Sequence, residues 1–148
     1  AVVMVGEHRG IGLHNLLWIL RTFPNHFKNF IFVSVGIVDV ESFSAKKELT
    51  TMQENTNEML DYFVNYCQQQ GLAAKGFAAY GTDPTEKLTR LSKKIIKEFP
   101  HSLFFASKLI FSKDNWITRL LHNETAVMLQ RRLHLLGVQL VILPMKID

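Results

Sequence analysis

Six residues near the start of the chain, Gly6, Glu7, His8, Arg9, Gly10 and Gly12, are the best placed for chemistry. They follow the apolar run Val2 to Val5 and precede apolar residues at helical spacing. Glycines at a strand-to-helix turn let a ligand approach the backbone, and the helix start offers free N–H groups and the positive end of the helix dipole. Arg9 adds a fixed positive charge, so the chemistry such a turn supports is anion binding. Ser107 and Lys108, just past a later buried strand, are expected to face the turn from the other side. The spacing, G-x-x-x-G-x-G, is neither the phosphate loop G-x-x-x-x-G-K-[ST] nor the dinucleotide fingerprint G-x-G-x-x-G. Asp39 and Glu41 are weak candidates for a ribose contact. Three readings stand: an anion or nucleotide site, a catalytic loop, or a tight turn whose Glu7, His8 and Arg9 are merely solvated.

Other constellations are thinner. His8, His14, His26, His101, His122 and His134 include no H-x-x-x-H pair, and no carboxylates are placed to complete a site around His8 and His14, so no metal is expected. No serine lies in G-x-S-x-G. The single cysteine, Cys67, excludes a disulfide within the chain and a Cys-based zinc site, and it falls on the apolar face of a helix, where it reads as core. No catalytic set emerges, and the chain is not expected to be an enzyme.

The elements that must hold these residues alternate in period. Val2 to Val5, Phe30 to Val38, Leu72 to Tyr80, Ser102 to Ala106 and Val138 to Leu143 read as buried strands. Between them lie helical patterns: Leu13 to Phe23, stopped by Pro24; Glu48 to Gln70, closed by Gly71; a helix opened by Asp83, Pro84 and Glu86 as a capping box and stopped by Pro100; and Asn115 to Leu136, closed by Gly137. Strands alternating with helices predict a parallel sheet covered on both faces, an α/β fold in a single domain. In such a sheet ligands sit beyond the carboxyl ends of the strands, which places the Gly6 turn at the expected site.

Bulk properties agree with a folded domain. Of 148 residues, 47% are hydrophobic and 20% charged, which excludes a disordered chain. The formal net charge is +4, and the basic residues look dispersed along the chain, with Lys93, Lys94, Lys97, Arg131 and Arg132 the densest; no nucleic-acid partner is expected. No apolar run approaches the about 18 residues needed to cross a bilayer. The chain opens at Ala1, already inside a strand, and is expected to be a domain excised from a longer protein.

The alternation and the glycine turn resemble the universal stress protein fold. That resemblance implies a three-layer α/β/α sandwich with a five-stranded parallel sheet in the order 3-2-1-4-5. The family binds ATP through a glycine-rich loop after its fourth strand, whereas here ASKLIFSKDNWITRLLHNET carries no glycine. A closer resemblance lies in GLHNLLWILRTFPNHFKNFIFVSVG, GTDPTEKLTRLS and DNWITRLLHNETAVMLQRRLHLLGVQLVILPMKI. These look like the cytoplasmic C-terminal domain of bacterial amino-acid permeases of the amino acid–polyamine–organocation type.

The resemblance implies a regulatory or interaction domain on the cytoplasmic face of the cell membrane. Its partner would be the transmembrane part of the same polypeptide, and its candidate ligand a small anion. The alternative is a stand-alone nucleotide-binding stress protein or a small α/β enzyme acting on a phosphorylated substrate. No cofactor is expected beyond a nucleotide in that second case. Self-association is expected through the last strand, with Val138, Leu140, Val141 and Leu143 as candidate interface residues, or through Arg119 and His122 on the long helix.

Overall fold

The computed structural model describes residues 1–6, 8–38, 45–111 and 127–147. Its elements are β1 (Val2–Met4), α1 (Arg9–Thr22), β2 (Asn29–Ile37), α2 (Ala45–Gln69), β3 (Ala73–Gly81), α3 (Pro84–Glu98), β4 (Phe104–Phe111), a helical stretch over 127–135 (α4) and β5 (Leu140–Ile147). All strand pairs are parallel, and the sheet order is β3-β2-β1-β4-β5. The fold is α/β, with the architecture and strand order that the resemblance implied.

Each strand alternates between two cores. Val3, Phe30, Phe32, Phe105 and Leu143 point to one face, where Leu16 and Ile19 of α1 and Met59, Leu60, Phe63 and Cys67 of α2 cover them. Val2, Ile31, Val33, Phe104 and Leu140 point to the other, beneath Ile95 of α3 and Leu129 and Leu133 of α4. Two buried faces explain why the strands read as continuous apolar runs.

Local signals account for the helix ends. Gly71 (φ 74°) and Gly137 (φ 75°) take the left-handed conformation, and the Leu72 and Val138 N–H groups reach back to the Cys67 and Leu133 carbonyls at 2.9 and 3.0 Å. At the start of α3 the Asp83 carboxylate accepts from the Thr85 and Glu86 N–H groups at 2.9 and 3.1 Å, with Pro84 at the first position. The expected reciprocal half of the box differs: the Glu86 carboxylate pairs with Arg90 at 2.7 Å, one turn along the helix. Asp83→Ala should therefore cost about 1 kcal/mol, a fall in Tm of about 2–4 °C in a thermal melt.

The last two strands run further than the sequence predicts. β4 and β5 pair over eight residues, from Phe104 opposite Leu140 to Phe111 opposite Ile147. Pro144 lies inside β5, opposite Lys108, which an edge strand tolerates. β5 stands at the edge of the sheet, as expected. Val138, Leu140 and Leu143 are buried in the chain's own cores and Val141 packs partly against them, so a second copy pairing here would meet the strand at its backbone edge. Helices cover both faces of this parallel edge strand, and among the described residues its outer backbone edge has no partner strand. Arg119 and His122 lie outside the described residues.

Candidate functional site

The turn after β1 is short. The Val5 N–H still bonds the Val33 carbonyl at 2.9 Å, and by Arg9 the chain is already helical. Gly10 and Gly12 are therefore residues of α1 and not of a loop. The Ile11 and Gly12 N–H groups turn back onto the His8 carbonyl at 3.1 and 3.5 Å. A Cβ on Gly12 would lie 2.5 Å from Phe63 Cζ and 3.0 Å from Val5 Cγ1. Gly12 thus allows a close backbone approach, but the approaching group is the Phe63 ring of α2 and not a ligand. Gly6 and Gly10 face open space.

Arg9 leans along α2. Its guanidinium lies 5.4 Å from the centre of the Tyr62 ring, and its Nη2 is 4.0 Å from the Glu58 carboxylate. Both side chains of that pair are more than half exposed, so the pair contributes about 0–1 kcal/mol and yields readily to a competing anion. His8 is exposed and makes no capping bond with its side chain. Glu7 and the side chain of Lys108 lie outside the described residues, as do Asp39, Glu41 and the glycine-free segment 112–126.

Ser107 is engaged from within. Asn15, fully buried on α1, donates from Nδ2 to the Ser107 hydroxyl, and its Oδ1 has no partner. The crevice between β1 and β4, where the strand order reverses, is thus bridged by a side-chain contact of the protein itself. Asn15 escaped the sequence reading. Its signal was its place on the stripe Gly12, Asn15, Leu16, Ile19, all buried.

The open cleft lies one strand over. It has a volume of about 970 Å³, within the usual range for small-molecule sites, and runs between the carboxyl end of β2 and the first half of α2. Gly6 and Arg9 stand at one end; Ser34 and Gly36 form the floor; Lys47, Thr51, Met52, Asn55, Thr56 and Met59 form the roof. Ser34 and Thr56 are buried polar residues among apolar neighbours. At Gly36 a side chain would run into the Met52 sulfur and the Tyr80 ring, so glycine there lets Tyr80 lie close beneath the cleft.

No family model, curated protein or solved structure matches this chain.

Of the residues singled out from the sequence, the structure brings Gly6 and Arg9 to the cleft. Gly10, Gly12 and Ser107 do not line it. The α2 residues and Ser34 were missed, although a signal existed. Along one face of β2 the residues run Phe30, Phe32, Ser34, Gly36, from large and apolar to small and polar towards the carboxyl end. On α2 the apolar stripe breaks at Thr56.

Among the described residues, the cleft lining holds Ser and Thr hydroxyls, an amide, two thioethers and charges of both signs, with neither histidine nor cysteine. Among the described residues no three histidine, cysteine or acidic side chains are grouped to hold a metal ion. Cys67 is fully buried, and burial pushes its thiol up to about 11, which keeps it a neutral thiol at physiological pH.

Proposed function

We propose that this chain is a ligand-sensing regulatory domain of a membrane amino-acid permease, held at the cytoplasmic face by the transmembrane part of the same polypeptide. The transporter half of the reading rests on the resemblance of the segments quoted above. The sensing half rests on one observation: a cleft of about 970 Å³ at the carboxyl ends of β1 and β2, with Arg9 at its mouth. Its polar groups suit holding a small polar ligand.

The ligand in this reading carries an anionic group. Arg9 exchanges its exposed pairing with Glu58 for a charge-assisted bond to that group, while the Ser34 and Thr56 hydroxyls and the Asn55 amide orient the remainder. Titration calorimetry across amino acids, phosphorylated metabolites and nucleotides is the test. A ligand found this way should bind Arg9→Ala more weakly by about 1.5–3 kcal/mol, the range for a hydrogen bond to a charged group. Equal affinity in wild type and Arg9→Ala would remove Arg9 from the site, and no heat with any compound would remove the sensing role. For the transporter half, about ten or more apolar segments of about 20 residues encoded in the same reading frame are expected. A reading frame without them would overturn it.

A further inference from the structure

We propose that the outer face formed by α3 and α4 docks on an anionic lipid surface. In the sequence the basic residues look scattered, but among the described residues their distribution across the sheet is one-sided. The described helical residues of α3 and α4 carry seven cations, Lys87, Arg90, Lys93, Lys94, Lys97, Arg131 and Arg132, against the two carboxylates Glu86 and Glu98. Both carboxylates are already paired, Glu86 with Arg90 and Glu98 with Lys75 of β3. On the opposite layer, α1 and α2 carry four cations against four carboxylates. Lys87, Arg90, Lys94 and Lys97 recur at three- and four-residue steps, a single row about 15 Å long on one side of α3.

Among the described residues, the exposed apolar groups on this face are aliphatic. Leu135 is 83% exposed, Val127 54% and Met128 44%, all on α4 beside Arg131 and Arg132. The nearby aromatic ring, Phe77, has the Lys75 and Lys94 ammonium groups at 4.9 and 5.7 Å from its centre. Single-stranded nucleic acid is held by open aromatic platforms, whereas basic residues interleaved with exposed aliphatic ones suit a headgroup layer with acyl chains beneath. A second copy of this face would be repelled, and the opposite layer, with balanced charge, offers it no complementary field. Each basic residue brought to an anionic bilayer strengthens partitioning about fivefold at physiological salt.

Co-sedimentation with lipid vesicles tests this. The chain should bind vesicles of phosphatidylcholine containing about one-third phosphatidylglycerol, ignore pure phosphatidylcholine, and lose binding as salt rises. Lys93→Glu/Lys97→Glu/Arg131→Glu should weaken binding at least about tenfold. The charge-matched control Arg21→Glu/Lys28→Glu/Lys46→Glu, on exposed residues elsewhere, should weaken it far less. Leu135→Ser should also weaken it, because its aliphatic group would no longer enter the acyl layer. Circular dichroism confirms that each variant is folded. No vesicle binding, equal binding to neutral vesicles, or equal losses in the two triple variants would overturn the proposal. Binding to single-stranded RNA in place of vesicles, abolished by the first triple variant, would assign the face to nucleic acid and overturn it as well.

Discussion

Phe63→Ala is expected to destabilise the protein by about 3–5 kcal/mol, the range for truncating a buried phenylalanine. Phe63 is completely buried on α2. Its ring stacks on Phe32 of β2, with centres 5.1 Å apart and planes 21° apart, and meets Tyr62 edge-on at 5.2 Å. Gly12 of α1 lies against its tip. One ring therefore joins two helices and the central part of the sheet, and its removal leaves a cavity that three separate elements would have to move together to close. Domains of this kind have about 5–15 kcal/mol of stability in total, so the loss is a large fraction. Urea denaturation is the measurement: the midpoint should fall with the slope unchanged. A loss below about 1 kcal/mol would show that this packing is wrong.

The second large effect is a contrast between two glycines of the same helix. Gly10→Ala should stabilise the protein by roughly 0.5–1 kcal/mol, because alanine is the better helix former and a Cβ there meets nothing within 4 Å. Gly12→Ala has the same intrinsic gain, but its Cβ would stand 2.5 Å from Phe63 Cζ. The ring cannot withdraw easily, since Phe32 lies against its face. Overpacking costs about 1–3 kcal/mol, which offsets or exceeds the gain, so Gly12→Ala should be neutral to destabilising. Gly12→Val adds two methyl groups and a β-branch at the same contact, and should cost about 3 kcal/mol or more. A double-mutant cycle separates crowding from helix propensity. Combining Gly12→Ala with Phe63→Leu should cost less than the two single changes summed, because the shorter side chain vacates the space the new methyl needs. Strict additivity, or equal gains at Gly10 and Gly12, would show that the two helices do not meet at Gly12.

The local signals in the sequence were strong because each acts through neighbours in the chain. Gly71 and Gly137 close helices through their own backbone conformation, Asp83 caps α3 through N–H groups two and three residues on, and the period of apolar residues marks strand or helix within about a dozen positions. These were enough for an α/β fold with a parallel sheet, and the resemblance supplied the strand order that the structure shows. What involved distant segments was decided by the tertiary structure alone. Gly12 looked like a loop glycine because its partner, Phe63, is fifty-one positions away. Ser107 looked free because nothing near it in sequence is Asn15. That Leu140 and Leu143 pack into opposite cores depended on helices from elsewhere in the chain covering both sheet faces. The cleft needed β2 and α2 to face each other, and the basic surface needed α3 and α4 to share one layer. Side-chain type and spacing determine what a segment prefers to be; which side chains meet, and which charges add, depends on the through-space distances that only the assembled sheet sets.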